Sequence, residues 1–310
     1  MNEGQILIIA GLGRSGTSLT AAVLQNMGLN IGKRLLRTRR RYRTGHSENL
    51  DFIGFHKDVL SYHGYHEHGW FLGGEIQVPE PFISQARRIV HANSLEQPWG
   101  WKDPRTVHFL SFWANLLPGA NFLLVYRSPW EVVDSYFRIN SNELDNDPEF
   151  PVKLWIAHNQ ILLAFLKKFP NRCVLLEINC VIHSLLHDQT FLLDLLNDRF
   201  AIKLRPPLPS IFDASEFHSN EADLHHAVLI AQLFPEALRL YNELKTLAVY
   251  PSGMLTPPPV HNVPFHQSAL RNWQAIRKLE AELQQSQSLL YLLKRSKLGR
   301  LAKKILGKVK

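Results

Sequence analysis

Apolar and polar positions alternate in blocks along this chain, and the first block sets the pattern. Ile6 to Ile9 is a short apolar run rich in β-branched residues, which predicts a buried strand. Thr17 to Leu24 is small and apolar at helical spacing, and Gly11, Gly13 and Gly16 fall between the two. Two later runs, Asn121 to Val125 and Cys173 to Ile178, predict further buried strands.

Helical spacing fills the intervals. Gly45 to Leu60 puts Leu50, Ile53, Val59 and Leu60 on one face, with Ser47 as cap and Glu48 in the first turn. Glu80 to Ala92 predicts a helix. Another opens at Pro104, capped by Asp103, and runs through Leu117, which puts Lys102 at the mouth of a strand-to-helix turn. Pro129 starts a helix that reaches about Ile139, and Asp145 to Pro151 reads as a polar loop. Lys153 to Phe169 is amphipathic through Leu154, Ala157, Ile161 and Phe165, and Phe191 to Leu196 is a short helix. Arg205 to Pro209 is a proline-rich break. Ala222 to Leu247 is a long helical stretch interrupted at Pro235.

Strands alternating with helices predict an α/β domain, a parallel sheet flanked by helices, over residues 1–250. Residues 251–268 read as a proline-rich linker. Residues 269–310 read as a C-terminal helical extension ending in a basic amphipathic tail, where Leu298, Leu301, Ala302, Ile305, Leu306 and Val309 form one stripe.

Composition changes this picture in two places. The 310 residues, 45% of them hydrophobic, suffice for one large domain. No run of about 18 apolar residues predicts a membrane span. Met1 to Gly4 has no basic leader character, and Cys173 and Cys180 read as free core thiols, so a cytoplasmic protein is expected. The formal net charge of +8 is local: eight Lys and Arg and no acid fall in 294–310, and the remainder is balanced. A general nucleic-acid surface is therefore not expected. The basic tail predicts peripheral contact with an anionic membrane or a partner helix. A second cluster, Lys33 to Arg43, reads as either a solvated loop or a gate for an anionic substrate.

The opening loop carries the chemistry. Free backbone N–H groups and the helix dipole converge where a strand meets a helix through glycines, which suits a phosphate. Gly11, Gly13 and Gly16 match a dinucleotide fingerprint, but no Asp or Glu lies between Thr17 and Thr44 to hold a ribose. Gly11 to Ser18 half-matches an NTPase loop, but Thr17-Ser18 stands where Lys-Ser/Thr is needed, and no predicted strand ends in a Walker-B acid. The His-rich loop Tyr62 to Trp70 lacks a metal-ligand spacing, so no metal is expected; it reads as lining or packing.

Three segments together resemble a known family. GLGRSGTSLT looks like the 5′-phosphosulfate loop of sulfotransferases that use 3′-phosphoadenosine 5′-phosphosulfate (PAPS). FLLVYRSPWEVVDSYFR resembles their 3′-phosphate segment. WKDPRTVHFLSFW followed by LPGANFLLVYR resembles the KDP segment of bacterial carbohydrate-type and tyrosylprotein sulfotransferases. The resemblance covers roughly residues 5–200 and implies the P-loop nucleotide-binding fold and PAPS as co-substrate.

It implies that Gly13, Arg14, Ser15, Gly16, Thr17 and Ser18 hold the 5′-phosphosulfate, with Arg14 on the sulfuryl oxygens. Arg127 and Ser135 would hold the 3′-phosphate, and Lys102 the bridging oxygen. Glu48 resembles the family's glutamate in a G-x-x-E helix start and is the first candidate for the base. His46 is the second, and Asp103 a poorer one because it caps a helix. Leu176-Glu177 replaces the family's Tyr-Glu pair, which implies that adenine stacking by that tyrosine is lost or supplied elsewhere. The acceptor is a hydroxyl, most simply a carbohydrate or glycolipid. Two alternatives stay open, a Mg-independent nucleotide- or polyanion-binding adaptor and a divergent P-loop kinase. The Arg14, Lys102, Arg127 and Ser135 set argues against the adaptor, which has no need of both phosphate sites.

Overall fold

The sheet is built from apolar runs too short to cover themselves, so it is buried on both faces. In the computed structural model, which describes residues 5–36, 48–139, 141–207, 222–252, 254 and 268–295, the strands are β1 (Ile6–Ala10), β2 (Trp99–Lys102), β3 (Ala120–Tyr126) and β4 (Cys173–Glu177). They pair in parallel in the order β2-β1-β3-β4, with Ile9 opposite Lys102 on one side and Leu123 on the other. All four carboxyl ends therefore lie along one edge.

The helices are α1 (Thr17–Asn26), α2 (Leu50–Tyr62), α3 (Glu80–Asn93), α4 (Leu110–Leu116), α5 (Pro129–Tyr136), α6 (Asn142–Asn146), α7 (Phe150–Lys168), α8 (Ile178–Leu186), α9 (Phe191–Phe200), α10 (Ala222–Leu233), α11 (Pro235–Leu247) and α12 (Ser268–Arg295). Strand alternation sorts side chains to two cores. Ile8, Ala10, Phe122, Leu124 and Leu175 face the larger core, with α2, α4, α5, α7 and α11. Leu7, Ile9, Leu123, Val125, Val174 and Leu176 face the smaller one, with α1, α8 and α9. The expected α/β architecture is thus the one observed.

The strand order places the site. From β1 the chain crosses to β2 on one side; from β3 it crosses to β4 on the other. The crevice outside the carboxyl ends of β1 and β3 is a topological switch point, where open α/β sheets bind ligands.

Several elements differ from the sequence expectations. Strand β2 is absent from the three predicted strands, because Trp-Gly-Trp-Lys is only four residues long, although Lys102 does lie at the mouth of a strand-to-helix turn as expected. β4 stops at Glu177, and Ile178 opens α8, which the pattern missed. The stretch expected as a polar loop over Asp145 to Pro151 holds the end of α6 and the start of α7. Residues Pro104–Phe109 wind as a tight 3₁₀ turn before α4 begins. Asn49, not Ser47, caps α2, its side chain accepting from the Asp51 N–H at 2.9 Å. Leu50, expected on the apolar face, is exposed, and Phe52 and Phe55 take its place. Glu48 thus precedes the helix instead of lying in its first turn.

The start of α12 packs onto the body. Leu270 and Trp273 are buried, the Trp273 indole donates to Asp134 Oδ1 at 2.9 Å, and its ring stacks on His226. Farther along, Ile276, Leu279 and Leu283 are exposed. The apolar stripe of 298–309, most of the Lys33 to Arg43 cluster, Ser47 and His46 lie outside the described residues. Among the described residues no helix is long and apolar enough to cross a membrane.

Candidate active site

The β1–α1 turn is held open by backbone geometry. Arg14 and Gly16 have positive φ, 70° and 87°, and the Ser15 N–H closes a turn on Leu12 O at 3.1 Å. At position 16 a Cβ would also collide with Ile178 at 2.3 Å; at position 11 one would lie 2.2 Å from Val125 O. The loop is thereby pressed against β3 and α8. Gly16 caps α1 without a side-chain hydrogen bond, and no acid occupies the first turn. The helix N-terminus is left with free N–H donors and an uncompensated positive dipole.

Side-chain donors crowd the same turn. Ser15 is fully buried and its hydroxyl has no partner. Thr17 is buried and Ser18 half-buried. Arg14 is exposed, and its Nε donates to Ser135 Oγ at 2.8 Å across 121 residues. Ser135 lies in the last turn of α5, so the loop and the helix after β3 are tied together.

On one side of the loop stands Lys102, the last residue of β2. Its side chain is 1% exposed, and its Nζ donates to Glu48 Oε1 at 2.5 Å. Glu48 is pinned by its backbone: its carbonyl accepts from Leu36 N–H at 2.8 Å, within the bridge that pairs Leu35 with Asn49. A buried lysine needs such a partner, since an unpaired buried charge is costly. The carboxylate is 14% exposed, open enough to meet a substrate.

Asp103, next in sequence, is closed off. It is fully buried, accepts from His56 Nδ1 at 2.7 Å and Arg105 Nη1 at 2.7 Å, and caps the following turn through the Arg105 N–H at 3.2 Å. Burial pushes its carboxyl up, but the His56 hydrogen bond and the His56 and Arg105 charges prevail and hold it well below the usual carboxylate range. Burial lowers His56, against the pull of Asp103. His56 Nε2 accepts from the Trp113 indole at 3.0 Å, which fixes the proton on Nδ1. Fully buried and accepting three hydrogen bonds, Asp103 is unsuited to act as a base. It anchors the segment that presents Lys102.

On the other side of the loop, Arg127 follows β3. Its Nη2 donates to Glu131 at 2.9 Å, its carbonyl accepts from the Trp155 indole at 3.0 Å, and its buried Nε has no partner. Ser128 also donates to Glu131, so this carboxylate orients both residues. Ser135 and Arg127 are not in contact: the first is turned to Arg14, the second to Glu131.

Three features lay beyond the sequence reading. Glu177, at the carboxyl end of β4, is fully buried and accepts from the hydroxyls of Tyr241 at 2.8 Å and Tyr250 at 3.2 Å. Burial raises its carboxyl. The pair Leu176-Glu177 thus fastens the chain after α11 to the sheet. Beneath the His-rich loop, which His108 Nε2 meets at Gly69 O at 3.0 Å, His158 Nδ1 donates to Leu154 O at 3.0 Å, which leaves its Nε2 to accept from His108 Nε2 at 3.0 Å. Burial lowers His108 to about 4 and His158 well below its ordinary value. Tyr136, adjacent to Ser135, is buried with a hydroxyl that has no partner. Among the described residues no group of three metal-ligating side chains gathers. Of the tryptophans considered for a sugar platform, Trp99 and Trp101 belong to the core, and only Trp70 is half-buried near the site.

No protein-family model matches the chain, and no curated protein matches it. Among solved structures it is similar to the sulfotransferase domain of the olefin synthase of Synechococcus PCC 7002, at 14% identity and a TM-score of 0.39, covering 87% of this chain and 93% of that one. At that score no residue's role transfers from that domain to this chain.

Proposed function

We propose that the protein is a sulfotransferase that moves a sulfuryl group from PAPS to a hydroxyl of a carbohydrate or glycolipid. One arrangement carries the reading: a glycine loop with unpartnered donors lies on the switch-point edge, with the buried Lys102–Glu48 pair one strand away and Arg127 on the opposite side. The donor set fits a nucleotide with two separate anionic ends. The α1 N-terminus with Ser15, Thr17 and Ser18 suits one phosphate, and the unpartnered Nε of Arg127, whose guanidinium Glu131 orients through Nη2, suits another. The loop carries Thr17 where an NTPase needs the lysine of its phosphate loop, and Asp103 is committed to His56 and Arg105 and not free for Mg²⁺.

PAPS, when bound, supplies an activated sulfuryl group whose bond to the 5′-phosphate breaks as the acceptor oxygen bonds to sulfur. The chain's residues have three tasks. Glu48 takes the proton of the acceptor hydroxyl; its hydrogen bond from Lys102 keeps it aimed. Lys102 supplies a mobile positive charge for the leaving oxygen. Arg14, braced by Ser135, presents a fork of donors to the sulfuryl oxygens. His46 remains the second choice of base. The basic stripe of 294–310 would hold the enzyme at an anionic membrane, which suits a lipid-linked acceptor. Incubation with isotope-labelled PAPS and a cell extract, followed by mass spectrometry, tests the reading. Label on a glycan or glycolipid hydroxyl is expected; no transfer of label from PAPS, with a labelled phosphoryl product from a parallel incubation with labelled ATP, would overturn it.

A further inference from the structure

Tyr136 is the last residue of α5, 1% exposed, in a core where nearly every polar tip is satisfied. Its hydroxyl is not: it has no hydrogen-bond partner. The Trp70 indole stands edge-on to the ring, 5.7 Å between centroids, and as a donor only it leaves the phenol's own O–H without an acceptor. An unpaired buried hydroxyl costs about 1–3 kcal/mol, so its persistence calls for a ligand that supplies the missing acceptor.

The hydroxyl's position is fixed by the loop. A Cβ on Gly13 would lie 3.1 Å from it, so the absent side chain at position 13 leaves the space in front of the phenol. Arg14, the next residue, braces itself on Ser135, the residue preceding the tyrosine. The phenol therefore stands at the Gly13–Arg14 half of the loop. Ser15 Oγ is a second orphaned, fully buried donor in the same turn.

We propose that Tyr136 is a direct ligand contact whose hydroxyl donates a hydrogen bond to an oxygen of the sulfuryl group beside Arg14. This rests on the PAPS reading given above and deepens it. Burial raises the phenol, outweighing the opposing charge of Arg14, so it stays a protonated, neutral donor throughout the physiological range. A neutral donor suits this place: Arg14 already supplies charge, and a second cation would overbind the departing product. Trp70 closes the other side of the ring and brings the His-rich loop, the expected lining segment, against the same spot.

The test uses the full chain and needs no acceptor. Calorimetry compares PAPS with PAP, its desulfated product, on wild type and Tyr136→Phe, alongside thermal melting of both. The variant should lose about tenfold or more in PAPS affinity, keep PAP affinity within about twofold, and melt at or above the wild-type temperature, since no internal hydrogen bond is removed. Unchanged PAPS affinity overturns the contact. An equal loss for PAP and PAPS moves the hydroxyl to a phosphate and overturns the sulfuryl assignment. A lowered melting temperature with proportionate losses would mark a merely structural residue. Failure of the wild type itself to bind PAP is a different result: it rejects the nucleotide reading, and the contact falls with it.

Discussion

Two turns at the same edge of the sheet handle their polar groups in opposite ways. After β2, Asp103, His56, Arg105 and Trp113 are joined in one hydrogen-bonded network that closes on the Asp103 carboxylate. After β1, Ser15 Oγ and the nearby Tyr136 hydroxyl and Arg127 Nε are buried and unpaired. Burial is comparable; satisfaction is not. A closed network holds a backbone in place, whereas an open one is stable only as the receptor of something that completes it. Lys102 sits between the two, fixed from behind by the closed set and facing the open one.

Breaking the closed side should produce the largest effect. Asp103→Ala leaves the Arg105 charge and His56 without their acceptor, and denaturant unfolding should show a loss of about 3–5 kcal/mol. A change below about 1 kcal/mol would mean that the network is dispensable. Next comes acidification. His108 has a folded value of about 4 against 6.5 for the free side chain, so the unfolded chain binds the proton first as pH falls. Stability should be intact above about pH 6.5, decline between 6.5 and 4, and flatten with respect to this group below 4, by roughly 3 kcal/mol from His108 alone. Urea midpoints at several pH values check this, and a flat profile over that window contradicts it.

The site itself should respond in rate and affinity more than in stability. Glu48→Gln keeps the shape and a hydrogen-bond acceptor for Lys102 but removes the base, so turnover with PAPS bound should fall by about a hundredfold or more, well beyond what the accompanying loss of the Lys102 charge partner does to stability. Near-normal turnover would remove Glu48 from the base position and leave His46. Ser15→Ala should be the mildest change: PAP affinity down by several-fold, stability unchanged or slightly raised, because the hydroxyl has no internal partner to lose. A clear destabilisation would show that the open side is not open.

What the sequence disclosed was local. The strand, glycine loop and helix of residues 6–24 could be read because each step is decided by neighbours within a turn. The Asp103 cap and the helix start at Pro129 were legible for the same reason. Contacts that cross the chain were not. Lys102 and Glu48 are 54 residues apart, Arg14 and Ser135 121, and no periodicity marks either pair. The parallel register brings them together, and it depends on β2, whose Trp-Gly-Trp-Lys has neither the length nor the alternation of a strand. Tyr136 was invisible for a related reason: on a helix face it reads as core, and only the space in front of Gly13 reveals where its oxygen points.

The central claim is that the open turn after β1 receives an adenine nucleotide carrying a 3′-phosphate, without a metal. Isothermal titration with PAP in the presence of EDTA tests it most directly. The account predicts saturable one-to-one binding that EDTA leaves unchanged. No heat with PAP, together with ATP binding that appears only when Mg²⁺ is added, would contradict it and make the protein a kinase-like NTP binder instead.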